Sequence, residues 1–120
     1  IAMIDLVSWG AQYGTPPGGE AEFDLTVLPP PPPPIASGTG LDEGVQRYYF
    51  SDPVVQQWGA TMACLGLELD RNHESPLMVF ICKEGRHRSV AMAEYVGELL
   101  RLVGVQYSIR HLCLGGGVEQ

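Results

Sequence analysis

The sequence has few cysteines, few basic residues and no long apolar run, and each shortage excludes a class of protein. Its three cysteines, Cys64, Cys82 and Cys113, lack the paired spacing of metal ligands and cannot all form disulfides, which favours a reducing, cytoplasmic compartment. No uncharged apolar stretch reaches the roughly eighteen residues that a membrane-spanning helix requires. Only seven Lys and Arg occur and the net charge is −7, so the broad basic surface typical of nucleic-acid-binding proteins is missing.

The 120 residues contain enough apolar material for one folded domain, because 45% of them are apolar. We predict one domain over residues 1–114 and a flexible tail over 115–120. Six consecutive prolines at 29–34 have no N–H donors and favour polyproline II geometry. We interpret this run as a stiff surface spacer; the alternative is a ligand for an aromatic-lined groove of the SH3 or WW type.

The spacing of apolar residues predicts an α/β fold, a single three-layer domain with a mostly parallel sheet. The predicted strands are 3–9, 21–28, 77–81 and 105–112. The predicted helices are 45–50, one that begins at Pro53, and 88–103, which Gly104 ends; a polar connection is expected over 68–76. Because 77–112 follows the order strand, loop, helix and strand, its two strands should be parallel.

The most informative stretch lies where the apolar strand 77–81 leads into the helix that begins at Arg88. Backbone N–H groups at the positive end of a helix dipole bind anions. Three of the seven cations fall within six residues here, which favours a small anion over a polyanion. Parallel strands bind ligands at their carboxyl ends, so residues from other strand ends should share the site. The predicted ligand-binding residues are Gln12, Asp24, Lys83, Gly85, Arg86, His87, Arg88, Ser89, Arg110 and His111.

The spacing from Cys82 to Arg88, with Ser89 next, also matches the C-x5-R-S loop of cysteine phosphatases. In such an enzyme Cys82 would be the nucleophile, Arg88 would bind the phosphoryl oxygens and Ser89 would assist the leaving thiolate. The chemistry needs a general acid as well. The acids available by residue type are Asp24, Asp42 and Asp52. A carboxylate inside the loop, Glu84, argues against this hypothesis.

In a second hypothesis the loop binds a phosphorylated ligand without turning it over. His87 then donates to the anion, the neighbouring cations fix its position, and Cys82 only closes the strand. A third interpretation is a solvated basic turn beside a core cysteine. Three cations, a histidine and a glycine at a strand-to-helix junction favour the first two hypotheses. We expect neither a metal ion nor another cofactor.

Several short motifs, in the same order, resemble the C-terminal domain of the RNase adapter protein RapZ family. They are Ser8-Trp9-Gly10-Ala11-Gln12-Tyr13-Gly14, Phe23-Asp24 followed by Leu28-Pro29, Thr39-Gly40-Leu41-Asp42, Cys82 to Val90, and Arg110-His111. The resemblance implies an α/β domain, similar to a sugar-phosphate-binding subdomain, that assembles as dimers or larger oligomers. In that family the domain follows a P-loop domain, senses glucosamine-6-phosphate and binds small regulatory RNA. These residues contain no P-loop, so we expect a stand-alone domain.

The sequence departs from the family pattern where positive charge would lie. Gln12 replaces a lysine and Thr26 an arginine, Lys83-Glu84 replaces glycine-rich sequence, and the six prolines replace a segment that normally contributes an aromatic residue or a histidine. The lost cations and the net charge of −7 argue against RNA as a partner. We therefore predict a regulatory domain that binds a phosphosugar or a nucleotide-like compound at Cys82–Ser89, with a cysteine-dependent phosphatase as the alternative.

Overall fold

A computed structural model describes residues 3–119, which form one four-stranded sheet with helices. The strands are β1 (Ile4–Gly10), β2 (Ala21–Asp24), β3 (Leu77–Cys82) and β4 (Tyr107–His111). The helices are α1 (Pro33–Ala36), α2 (Glu43–Phe50), α3 (Pro53–Asn72) and α4 (Arg88–Leu102), and 3-10 turns lie at Ala11–Tyr13 and Leu25–Val27.

All the strands are parallel and lie in the order β2-β3-β1-β4. The α/β fold with a parallel sheet is therefore confirmed, as is the parallel relation of β3 and β4, although β1 lies between them. In this register Gly10 is opposite Cys82 and Ser8 is opposite His111. The carboxyl ends of the strands consequently meet at one edge of the sheet, where β3 leads into α4.

The main core lies between one face of the sheet and α4. Ile4, Leu6, Met78 and Phe80 of the central strands are fully buried in the same cluster as apolar residues of α4. The opposite face carries a smaller cluster around Trp9 and Val79, which is covered by segments that follow β1 and β4. One face of the sheet is thus packed against helices, and connecting segments cover the other face.

Three predicted boundaries are wrong, each for a local reason. The second strand ends at Asp24 because its carboxylate accepts hydrogen bonds from N–H and Oγ1 of Thr26, at 2.9 and 2.5 Å, which start a 3-10 turn. The predicted polar connection 68–76 begins only at His73, because α3 continues to Asn72. The proline run is extended at Pro32 (φ −66°, ψ 157°), but its last two prolines begin the short helix α1.

Residues 115–119 form neither a helix nor a strand. Residues 115–119 are exposed, and the N–H of Glu119 donates to the carbonyl of Leu112 at 2.7 Å. The flexibility of the predicted tail stays a prediction, and residues 1, 2 and 120 of the predicted domain and tail lie outside the described residues. No helix between residues 3 and 119 is both long enough and apolar enough to cross a membrane.

Candidate anion-binding site

The loop from Lys83 to His87 packs directly against the end of β1 through two glycines. Gly85 has φ +68°, a conformation that glycine adopts at little cost. A Cβ atom on Gly85 would lie 2.6 Å from the backbone nitrogen of Gly10. A Cβ atom on Gly10 would lie 2.4 Å from the carbonyl carbon of Glu84. The loop is also fastened by the N–H of Gln12, which donates to the carbonyl of Lys83 at 2.9 Å.

The backbone N–H groups of this loop are available to a ligand. Between residues 3 and 119, no acceptor receives a hydrogen bond from the N–H groups of residues 83–90. The last three of these groups belong to the first turn of α4, where the helix dipole is positive. Consecutive unpaired N–H groups before a helix are the arrangement that binds phosphate in other α/β proteins.

A segment that we call the strap, residues 26–38, lies against the loop and contains the six prolines. At its first end, Nη1 of Arg88 donates to the carbonyl oxygens of Leu28 at 2.9 Å and of Thr26 at 3.5 Å. The hydroxyl of Tyr49 donates to the carbonyl of Pro29 at 2.7 Å. Nε and Nη2 of Arg88 have no acceptor in the described part of the chain, so they remain available to an anion.

The other end of the strap is held by the two residues before Arg88. Nε2 of His87 lies 2.8 Å from the carbonyl oxygen of Ala36. Since a carbonyl only accepts, Nε2 carries a hydrogen and Nδ1 is the nitrogen left for a ligand. Arg86 donates through Nε to Gly38 at 3.1 Å and through Nη2 to Ser37 at 2.9 Å. Carbonyl oxygens thus position the side chains of Arg86 and Arg88 without neutralising their charge.

The Thr39-Gly40-Leu41-Asp42 motif continues from the strap onto the start of α4. The N–H of Gly40 donates to the carbonyl of Arg86 at 2.8 Å, and a Cβ atom on Gly40 would lie 2.4 Å from the backbone nitrogen of Ala91. The carboxylate of Asp42 accepts from the N–H of Thr39 at 2.6 Å. Asp42 therefore closes this turn, and the predicted acid Asp52 caps α3 by accepting from Val54 at 2.9 Å.

A pocket of about 220 Å³ separates the loop from the strap. The side chains and backbone that line it are those of Pro30, Pro31, Ala36, Cys82, Glu84, Arg86, His87 and Arg88. The strap supplies an apolar wall and the loop supplies the polar donors. This volume accommodates a phosphoryl group together with a small organic part.

Cys82 and Asp24 bear on the phosphatase hypothesis in opposite ways. The Cys82 thiol is 2% exposed and donates to Oγ of the buried Ser89 at 3.1 Å. In the thiolate form the direction would reverse and the Ser89 hydroxyl would donate, as the hypothesis requires. Hydrogen bonds from the Thr26 hydroxyl and N–H, with a smaller contribution from Arg88, lower the pKa of Asp24 below 3.8. A general acid needs a raised pKa to hold its proton near neutral pH. Asp24 therefore fits a structural role better than an acidic one.

The structure separates the remaining predicted site residues from the pocket lining. Arg110 forms a salt bridge with Asp5 at 2.8 Å. His111 connects β1 with α4: its Nδ1 lies 2.7 Å from Oγ of the fully buried Ser8, and its Nε2 lies 2.7 Å from Oε2 of Glu94. Gln12 follows β1 and Lys83 begins the loop; both are exposed, and neither lines the pocket. Within residues 3–119, no three His, Cys, Asp or Glu side chains are grouped as metal ligands would be.

The predicted site therefore assembles in part. Gly85, Arg86, His87 and Arg88 lie together in the loop beside Cys82, as the motif indicates. Sequence reasoning did not assign the strap residues or Glu84 to the pocket. For Glu84 the signal was present, because it lies inside the loop; for the strap, the sequence offers no signal of its contact with residues 86–88.

These features define an α/β domain with a strand-loop-helix site at the carboxyl edge of a parallel sheet. The RapZ C-terminal domain family matches residues 2–115, and the chain belongs to that family, as its motifs indicate. A nucleotide-binding protein of Aeromonas hydrophila is 38% identical over 125 residues, which cover 98% of this chain and 43% of the relative. A nucleotide-binding protein of Listeria innocua is 35% identical over 114 residues, 84% and 37% of the two chains. One from Thermus thermophilus is 35% identical over 104 residues, 82% and 38% of the two chains. The chain thus spans about two-fifths of the length of these relatives.

Proposed function

We propose that this domain binds a phosphorylated small molecule, a phosphosugar or a nucleotide-like compound, at the loop Cys82–Ser89 and has a regulatory role. The observation that carries the proposal is the run of unpaired N–H groups at residues 83–90, beside a pocket that Arg86 and Arg88 line. Similarity to proteins named as nucleotide-binding agrees with it. A cytoplasmic location, which the cysteine pattern favours, belongs to the same proposal. So does assembly as a homodimer or larger homo-oligomer, which the family resemblance implies.

The donors of the pocket suit a phosphoryl group better than a carboxylate. Nε and Nη2 of Arg88 form a planar pair of donors, which matches two phosphoryl oxygens. The loop N–H groups approach from the helix end, so three or more oxygens can be bound at once. The net charge of −7 disfavours RNA, because a polyanion would meet repulsion over most of the surface.

The cysteine-dependent phosphatase remains a second candidate because of one contact, the Cys82–Ser89 hydrogen bond of 3.1 Å. A thiolate that leaves a phosphocysteine is stabilised by such a hydroxyl. The low pKa of Asp24 weakens this candidate. Incubation with an aryl phosphate separates the two: turnover that disappears in Cys82→Ser supports the enzyme, and no turnover with intact phosphate binding supports the receptor.

The binding proposal is tested by calorimetric titration with inorganic phosphate, a hexose 6-phosphate and adenosine monophosphate. Arg88→Ala should weaken binding of the best of these ligands by roughly ten- to a hundredfold, because it removes charge-assisted hydrogen bonds. Arg71→Ala is the matched control, because Arg71 is exposed on α3 and its substitution removes the same charge at a position outside the loop. Circular dichroism verifies that both variants fold.

The proposal fails if the wild-type protein binds none of the three ligands, or if the two arginine variants bind equally well. An RNA-binding titration at low and moderate salt tests the inherited RNA role separately. A specific RNA contact should weaken steeply as salt rises.

A further inference from the structure

We propose that Glu84 makes this pocket selective for ligands with one phosphoryl group and rejects ligands that carry a second phosphate. The inference rests on the proposed function and names the ligand class more narrowly. Of nucleotides, it admits monophosphates and disfavours diphosphates and triphosphates.

Glu84 is held at the pocket by its own backbone. Its carbonyl group packs against Gly10 so closely that a Cβ atom there would lie 2.4 and 2.5 Å from the carbonyl carbon and oxygen of Glu84. The next residue, Gly85, is buried against the same strand end. The backbone of Glu84 is therefore fixed beside the pocket, and its exposed side chain starts from that position.

The carboxylate of Glu84 has no cation of its own. Asp5, Glu43, Glu68 and Glu98 each pair with an arginine, but no salt bridge or hydrogen bond between residues 3 and 119 involves the Glu84 side chain. Arg86 and Arg88, which line the same pocket, donate instead to strap carbonyls. An unpaired carboxylate thus remains beside donors that are arranged for an anion.

The charge of the pocket lining follows from these assignments. Two guanidinium groups and one carboxylate leave the arginines and Glu84 with a combined charge of +1. A phosphate monoester carries between about −1.5 and −2 charges near neutral pH, so one phosphoryl group already exceeds the positive charge. Because Glu84 lines this pocket of about 220 Å³, we expect a second phosphate bound beside the first to lie near its carboxylate. Like-charge repulsion over roughly 7 Å in a partly hydrated site corresponds to about a tenfold loss of affinity.

The test compares inorganic phosphate with pyrophosphate, both titrated by calorimetry. Glu84→Gln should strengthen pyrophosphate binding roughly tenfold. It should strengthen phosphate binding by a severalfold smaller factor, so the ratio of the pyrophosphate to the phosphate dissociation constant should fall. Glu74→Gln is the control: Glu74 is exposed before β3, forms no salt bridge within the described residues and changes the net charge equally. The shift should shrink as salt rises, because the repulsion is screened.

The outcomes separate this inference from the function on which it depends. If wild-type protein binds phosphate but Glu84→Gln leaves the ratio unchanged, or Glu74→Gln shifts it equally, the selectivity is not due to Glu84 and the inference is wrong. If neither wild type nor Glu84→Gln binds phosphate or pyrophosphate, the proposed function is wrong and the inference is overturned with it.

Discussion

Gly10 is the position where one added methyl group should do most to separate the anion loop from the sheet. In Gly10→Ala the new Cβ would lie 2.4 Å from the carbonyl carbon of Glu84, 2.5 Å from its oxygen and 2.8 Å from the nitrogen of Gly85. All three are backbone atoms, so no side-chain rotation relieves the overlap. An ordinary contact of about 3.5 Å requires the loop to retreat by roughly 1 Å. Overpacking of this kind costs about 1–3 kcal/mol of unfolding free energy.

The measurement is urea denaturation of Gly10→Ala beside Gly18→Ala, followed by phosphate titration of both. A Cβ atom on Gly18 would meet nothing within 4 Å, and its φ is not in the left-handed range. Gly18→Ala should therefore be neutral or stabilising by a few tenths of a kcal/mol, through the unfolded chain. Gly10→Ala should also weaken phosphate binding, since displaced N–H groups lose their alignment. Equal unfolding midpoints and equal phosphate affinities in the two variants would refute the contact between β1 and the loop.

Two further predictions concern the strap and its start. Tyr49→Phe removes the hydrogen bond to the Pro29 carbonyl and should lower the unfolding free energy by about 0.5–1.5 kcal/mol, whereas Tyr48→Phe at the exposed neighbouring position should change it little in the same urea titration. Thr26→Ala should raise the pKa of Asp24 toward 3.8, because it removes the hydroxyl that lowers it most, and carboxyl NMR titration measures this. A lowered pKa of Asp24 stabilises the folded state above pH 3.8, and this benefit disappears as pH falls through the folded-state pKa. The difference in unfolding free energy between wild type and Thr26→Ala should therefore vanish in acid. An unchanged Asp24 pKa in Thr26→Ala would contradict the assignment.

The sequence was sufficient for the loop because its chemistry is local. Cys82, Gly85 and Arg88 lie within one short stretch between an apolar strand and an amphipathic helix, and that order alone implies N–H groups at a helix start. The parallel sheet followed from the same reasoning. The structure also explains two glycines of the family motifs: Gly10 and Gly40 each lie where two backbone segments are too close for a Cβ atom.

The strap was not predictable, because its contacts depend on atoms that every residue has. Side chains at 86–88 donate to carbonyl oxygens 48 to 62 positions earlier in the chain, and an acceptor of this kind leaves no mark in composition or periodicity. The separation of Arg110 from the pocket lining was not predictable for another reason. Side chains alternate between the faces of a strand, and the register of β4 against β1, which puts Arg110 in a salt bridge with Asp5, is not written in either strand alone.

The six prolines also influence the distance between the two anchored ends of the strap. Their extended part advances about 3.1 Å per residue and has no N–H with which to fold back on itself. It therefore fixes how far the carbonyl of Leu28, which binds Arg88, lies from that of Ala36, which binds His87. Most surface connections tolerate insertions and deletions, but we expect a strap with one proline more or fewer to fit its two anchors less well. We therefore expect the number of prolines, more than their chemical character, to set the width of the pocket.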